Sequence, residues 1–245
     1  RLALTEEGRQ FYHQAREVLA LMAQAEEAVS ATAPEPSGVL RVNAPVSFGV
    51  LHLAPLWGEF MQAYPQVELD ISLNDRLVDL VEEGFDAAVR IARMENSSLV
   101  GRRLASTRMC LFASPDYLAR HPPIRTLADL ADHGVIAYTH FAMGNEWQFD
   151  GPDGSETVRT RSSARCNNGD TCRSIALSGA GIALQPSFMV AEDLRSGALV
   201  EILPAYRSIE LGIYVVYPSR KHLASKVRAL IHFLAERFSH PQWER

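Results

Sequence analysis

Residues 74–93 read N-D-R-L-V-D-L-V-E-E-G-F-D-A-A-V-R-I-A-R, from Asn74 to Arg93. Leu77, Leu80 and Val81 stand at i, i+3 and i+4, the spacing of one helical face. Gly84 then supplies a residue that readily takes the left-handed backbone with which many helices close. From Phe85 to Ile91 the chain is an apolar run of strand length, interrupted by Asp86 and Arg90. The stretch predicts a short helix, a glycine stop and a buried strand. A helix feeding a strand buried on both faces is the repeating unit of an open α/β sheet.

The residues before this stretch continue the pattern. Val39 to Asn43 reads as a strand and Ala44 to Gly49 as a turn. A helix follows, carrying Leu51, Leu56, Trp57, Phe60 and Met61, and Tyr64-Pro65 ends it. Val67 to Leu73 alternates as a half-buried strand does. Strand, helix, strand, helix, strand within about 55 residues makes half of a doubly wound sheet.

The residues after it supply a second half. Leu104 to Ala113 is strand-like, and Ser114-Pro115 opens a helix with serine at the cap and proline in the first turn. Thr126 to His133 reads as a short helix and Gly134 to Tyr138 as a strand. Asp150-Gly151-Pro152-Asp153-Gly154 is hairpin punctuation between Trp147–Phe149 and Glu156–Arg161. Thr171 to Ser178 is predicted helical, Ile182 to Leu184 a buried strand, Ala191 to Arg195 helical, and Leu199 to Leu203 and Ile209 to Tyr217 strands. Ser225 to Phe238 is a last amphipathic helix, with Val227, Leu230, Ile231 and Leu234 on one face.

At the other end, Thr5 to about Ala31 reads as one long helix, with Glu6 and Glu7 in the first turn where the helix dipole favours them. Phe11, Ala15, Val18, Met22, Ala25 and Val29 follow alternating steps of four and three, an a/d seam suited to pairing with a second chain. A surface helix packed on its own body is the other reading. The proline-stiffened segment Thr32-Ala33-Pro34-Glu35-Pro36-Ser37-Gly38 separates the helix from the body and favours the seam.

Composition narrows the function. The chain has 245 residues, 47% of them hydrophobic, and a net charge of −5, which suits a globular core and provides no dominant basic surface for a phosphate backbone. Nucleic-acid binding would need a local patch or a further part; the first residue is Arg, so the chain reads as a fragment. No secretory signal and no apolar run of membrane-spanning length is present, and Cys110, Cys166 and Cys172 are too scattered for a disulfide framework or a metal finger. These features point to a cytoplasmic protein.

Enzyme chemistry finds little support. Gly179-Ala180-Gly181 follows a helix and precedes a strand, the reverse of a dinucleotide loop. No G-x-S-x-G elbow occurs, and the eight histidines form neither H-x-x-x-H nor H-E-x-x-H. Asp79, Glu82 and Glu83 read as a solvated face. No catalytic residue, cofactor or metal is predicted. Two turns stand out instead. Pro45-Val46-Ser47-Phe48 and Asn167-Asn168-Gly169-Asp170 each run from a strand end into a helix start. Free N–H groups at helix starts favour anions such as carboxylates, and in open α/β sheets ligands sit beyond strand carboxyl ends. The plainer reading is that Ser47 and Asp170 cap their own helices.

The body resembles the regulatory domain of a LysR-type transcriptional regulator. The resemblance rests on residues 38–49 (G-V-L-R-V-N-A-P-V-S-F-G), residues 75–90 (D-R-L-V-D-L-V-E-E-G-F-D-A-A-V-R), residues 113–118 (A-S-P-D-Y-L) and residues 178–183 (S-G-A-G-I-A). Residues 2–8 (L-A-L-T-E-E-G) are similar to the end of the family's winged helix-turn-helix and the start of its linker helix. The resemblance implies two Rossmann-like subdomains joined by two crossing strands, as in periplasmic binding proteins, behind a long linker helix. It places the winged-helix end and dimerisation helix in residues 1–33, subdomain I in residues 39–111 with 217–240, and subdomain II in residues 112–216. The crossings would fall near Leu111–Ala113 and Tyr214–Tyr217.

On the same basis a small anionic effector would bind between the subdomains. Its contacts would come from Pro45, Val46, Ser47 and Phe48, from Asn74, from Ile91, Ala92 and Arg93, and from Cys166, Asn167, Asn168, Gly169 and Asp170. The implied partners are that effector, promoter DNA through an N-terminal domain, further copies of the chain as a homodimer or homotetramer, and RNA polymerase. Cys166 and Cys172 also raise a redox switch, since some relatives use a disulfide. Asp170, Thr171 and Cys172 depart from the family, which usually has small apolar residues there. A solute-binding protein of the same fold is the alternative.

Overall fold

The computed structural model describes residues 35–93, 100–141, 144–218 and 223–241, together with Gly8, Phe11, Ala15 and Trp243. The first strand, β1 (Gly38–Ala44), turns Leu40, Val42, Asn43 and Ala44 inward. Residues 46–63 then form one helical rod, α1: an α-helical turn Val46–Phe48, a π-helical stretch Gly49–Leu53 and an α-helix Ala54–Ala63. Pro55 has no N–H to donate back along the helix, which suits the wider π turn just before it. α1 buries Phe48, Leu53, Trp57 and Phe60. β2 (Val67–Leu73) lies parallel to β1, from Gly38 opposite Val67 to Ala44 opposite Leu73. On the other side of β1, β3 (Ala87–Ala92) is also parallel.

β4 (Val100–Ala113) joins the two halves of the sheet. Its first part, up to Arg108, pairs with β11 (Glu210–Tyr217), and Met109 to Phe112 pair with β9 (Ile182–Pro186). Between these come α2 (Pro115–Arg120), a 3₁₀ turn (Leu127–Asp132), β5 (Gly134–Tyr138), the hairpin β6 (Glu146–Gly151) and β7 (Gly154–Arg159), β8 (Arg161–Cys166) and α3 (Gly169–Leu177). α4 (Ser187–Ser196) follows β9, β10 (Val200–Glu201) pairs with the end of β4, and α5 (Ser225–Arg237) comes after β11. The strand order is β2-β1-β3-β11-β4-β9-β5-β8. This is the two-halved α/β architecture expected, with β5 parallel to both β8 and β9.

The stretch around Asn74 differs from expectation. Residues 74–86 are turns, not a helix followed at once by a strand. Asp79 Oδ1 accepts the N–H groups of Val81 and Glu82 and so caps a single turn, in which the Glu83 N–H donates to Asp79 O at 3.0 Å and which Gly84 closes before a second turn forms. The side chains that go inside are Val78 and Leu80, with Phe85 packed beside them, while Leu77 is 86% exposed. The glycine stop does appear: Gly84 has φ 74°. The unusual charges hold this turn to the sheet. Arg90 donates to Val78 O at 2.9 Å and Asn43 Oδ1 at 3.2 Å, and Asp86 Oδ2 accepts from the Arg41 N–H and from Lys226 Nζ.

Three further expectations change. β8 has no counterpart among the predicted strands, because R-S-S-A-R-C carries no apolar alternation; it is an edge strand with every other residue exposed. α4 begins at Ser187, four residues before the predicted Ala191. The crossing also moves. Gly212 to Val216 pair with β3 in the first half's sheet, whereas the resemblance implies residues 112–216 for subdomain II. Met109 to Leu111 pair with β9 in the second half. At the N-terminal end Gly8, Phe11 and Ala15 are helical and Phe11 is 73% exposed. Val18, Met22, Ala25 and Val29 of the expected seam lie outside the described residues, as does the linker up to Pro34.

Candidate functional site

The parallel strands of both halves end around one cavity of about 400 Å³. That is within the range of small-molecule sites, roughly 300–1,000 Å³. From the first half come Pro45 and Ser47 after β1, Asp75 after β2, and Ile91, Ala92 and Arg93 at the end of β3. From the second half come Tyr138, His140 and Phe141 after β5, Gly169 at the start of α3, and Leu184, Gln185 and Pro186 of β9 with Phe188 and Met189 of α4. The crossing strands add Met109 and Leu211, with Ile209 just before β11. Most of the wall is apolar, with a few polar groups concentrated near Ser47, Asp75 and Tyr138.

The two helix starts are held differently. At α1 the Val46 N–H donates to Asp75 Oδ1 at 2.9 Å, so a carboxylate 29 residues away caps the helix. At α3 the local residue Asn168 is the cap, its Oδ1 accepting from the Thr171 N–H at 2.9 Å. Ser47 and Asp170 cap neither helix. Ser47 Oγ donates to Asp170 Oδ2 at 2.7 Å and so bridges the two halves. His52 Nε2 makes a second link, 3.0 Å from Phe188 O. Below them the rings of Phe48, His52, Phe188, Phe238 and Trp243 pack edge-to-face or tilted, with Phe48 and Phe188 centroids 5.3 Å apart.

Burial, and next the charge of Asp75, raises the Tyr138 pKa, so its phenol stays protonated at neutral pH. Burial also lowers the His52 pKa, with the bond to Phe188 O acting in the opposite sense, and favours the neutral ring. Cys172 is pushed up to about 12 by burial and then by Cys166, which makes it a poor nucleophile. Both thiols are free. Among the described residues no three His, Cys, Asp or Glu side chains converge as metal ligands.

Six residues singled out from sequence line this cavity: Pro45, Ser47, Ile91, Ala92, Arg93 and Gly169. Asp170 reaches it only through Ser47. Phe48 is fully buried in the core, Val46 faces Asp75 with its N–H, and Asn168 is a cap. Asn74, Cys166 and Asn167 are absent from the wall. The same strand-end rule applied to β5 and β9 would have found Tyr138 and Gln185. Met109 and Leu211 carry no such sequence signal, since their place depends on strands crossing between the halves.

Residues 33–239 match the family model described as the LysR substrate binding domain. The chain belongs to the LysR family of transcriptional regulators. It is similar to the HTH-type transcriptional regulator PtxR of Pseudomonas aeruginosa, 34% identical over 236 residues, covering 96% of this chain and 76% of that protein. It is equally similar to DmlR of Escherichia coli, 34% identical over 241 residues, covering 98% and 78%. Its fold matches the solved structure of CrgA, a LysR-type regulator from Neisseria meningitidis, with a TM-score of 0.76 at 30% identity, covering 98% of this chain and 82% of that one. These LysR relatives are transcriptional regulators, which favours an effector-binding regulatory domain over a solute-binding protein of transport. Among the described residues no helix is long and apolar enough to cross a membrane.

Proposed function

We propose that the cavity between the halves binds a small-molecule effector and that its occupancy sets the angle between them, thereby controlling promoter DNA binding in the cytoplasm. On this reading residues 39–108 with 210–240 form one subdomain and residues 109–209 the other, the expected division shifted to follow strand pairing. The linker helix, through Phe11, Ala15, Val18, Met22, Ala25 and Val29, pairs two copies of the chain. Regulation, not catalysis, is the activity.

One observation carries the reading: groups from both halves wall the same cavity, and Ser47 and Asp170 bridge it. A ligand in such a place contacts both halves, and these contacts change when the angle changes. It therefore binds the open and closed forms with different affinity, the condition for shifting their populations.

The test is a thermal-shift screen of a metabolite library against the chain and its Gly169→Leu variant. A Cβ on Gly169 would lie 2.6 Å from Met189 Cε, so a larger side chain there fills the cavity. Every stabilising compound should lose its effect in the variant. Compounds that stabilise both proteins equally would place the effector elsewhere. Sedimentation of residues 1–245 against 35–245 examines the helix, and equal mass states would remove the pairing role.

A further inference from the structure

We propose that the second half carries a separate site for a small polyphosphate, a molecule with two or more linked phosphate groups, between β8 and the base of the β6–β7 hairpin. An open depression of about 570 Å³ lies there, lined by Asn145, Arg159, Thr160, Arg161, Ser162 and Arg165. None of these residues lines the effector cavity, and neither reading depends on the other.

The local sequence explains why three arginines gather. Thr160 joins β7 to β8 and is buried, its N–H and its hydroxyl both donating to Asn145 O, at 2.9 and 3.1 Å. The residues on either side of it, Arg159 and Arg161, are exposed. Exposure alternates along β8, so Arg165 is exposed like Arg161. The Ser162 hydroxyl donates to Asn145 Oδ1 at 3.2 Å, which leaves the Asn145 amide N–H groups as further donors in the wall.

Charge is unbalanced at this place. Among the described residues no carboxylate pairs with Arg159, Arg161 or Arg165, although the chain has 29 acidic residues against 24 Lys and Arg. Arg173 of α3 and Arg195 of α4, in the same half, each hold a carboxylate. Glu146 stands opposite Arg159 in the hairpin register and is exposed, but the two form no ion pair. Burial raises the Tyr117 pKa, while the Gly134 N–H and then the Arg161 charge act against the rise, so that charge is felt inside the fold as well.

Exposed guanidinium groups pair weakly with a single anion, because water and salt screen them. A lone phosphate or carboxylate therefore gains little here. Linked phosphates engage two or three forks while losing their free motion once, and each fork meets phosphate oxygens with parallel N–H bonds. A nucleic-acid backbone offers the same oxygens over a longer track. Asp150, Asp153 and Glu156 are exposed farther along the hairpin and repel such a track.

Calorimetric titration of the chain with tripolyphosphate, orthophosphate, citrate and a short DNA duplex tests the proposal. Tripolyphosphate should saturate a site at least about tenfold tighter than orthophosphate does, and should weaken as salt rises from about 50 to about 200 mM. The double variant Arg161→Gln with Arg165→Gln should lose at least about tenfold in affinity, and Arg159→Gln about threefold should the double variant not fold. Arg195→Gln removes a positive charge elsewhere in the same half, and Arg93→Gln removes the cation of the effector cavity; each should change the affinity by less than about twofold. Absence of saturable tripolyphosphate binding, an affinity that the arginine variants keep, or a loss as large in Arg195→Gln would each overturn the proposal. Tighter binding of citrate would overturn the phosphate class, and tighter binding of the duplex would give the surface to nucleic acid. A loss in Arg93→Gln would move the anion into the effector cavity and remove the separate site.

Discussion

The two helix starts that meet at the cavity solve one problem in different ways. α3 is capped by Asn168, three residues before the N–H it accepts, whereas α1 depends on Asp75, 29 residues from Val46. A local cap follows the chain wherever its helix goes. A distant cap also fixes β2's end against β1's end and brings a carboxylate to the cavity wall. Ser47 and Asp170, which resemble caps in sequence, are thereby free to bond to each other. The α1 side of the cavity is therefore held by tertiary contacts and the α3 side by its own sequence.

Substitutions can break that contrast, beginning with the largest effect. Phe48→Ala removes a fully buried ring that packs against Phe188 and Phe238, and should cost about 3–5 kcal/mol in denaturant unfolding. Gly169→Val, at the start of α3, should cost about 1–3 kcal/mol through crowding of Met189, whose flexible end can yield. A larger loss at Gly169 than at Phe48 would reverse the assignment of core and wall.

Asp75→Ala and Asn168→Ala should each lower stability by about 0.5–2 kcal/mol, as lost caps do. Amide hydrogen exchange distinguishes them. Asn168→Ala should loosen only the first turn of α3, while Asp75→Ala should loosen the α1 start and the turn after β2 together. Uniform loosening in both variants would abolish the distinction between local and distant caps. Ser47→Ala removes one hydrogen bond between halves, about 0.5–1.5 kcal/mol. Small-angle scattering of the unliganded chain should then show a wider mean opening, and an unchanged profile would mean that this bond does not restrain the halves.

The smallest effect concerns pH. His52 lies below its ordinary pKa because of burial, and His133 because of burial and then His121's charge. Once pH falls below about 6.5 the unfolded chain binds more protons at these sites than the folded one. Their contribution to stability is complete above that value and drains away as pH falls toward the lower folded pKa values. Tm should be lower at about pH 5.5 than at about pH 7.5, and His52→Gln should shrink the difference. An equal drop in the variant would assign the loss to other groups.

Sequence patterns located most strands and helices because apolar periodicity and glycine or proline punctuation act over a few residues. They overreached at residues 74–84, where Leu77, Leu80 and Val81 show helical spacing but only one turn forms, capped by Asp79 and closed by Gly84, while Arg90 holds Val78 from across the turn. They failed at β8 because an edge strand exposed on alternate residues needs little apolar signal. Of the site, the turns after β1 and β3 were legible, since each lies at the end of a predicted strand, and Asn167–Asp170 was legible as the start of a helix. Ser47 lines the cavity and Phe48 is buried in the core, a difference of one helical position that spacing alone does not resolve.

The sequence by itself determined the α/β class, the family and the local devices: the Ser114 cap with Pro115 in the first turn of α2, the Gly84 stop and the strand-end turns. Each depends on atoms a few residues apart, whose encounter the chain's own geometry secures. The tertiary structure alone decided where β4 passes from one half to the other, which carboxylate caps α1, and that Ser47 meets Asp170. Those contacts join residues 29 to 123 apart, and only packing of the whole sheet brings them within hydrogen-bond reach.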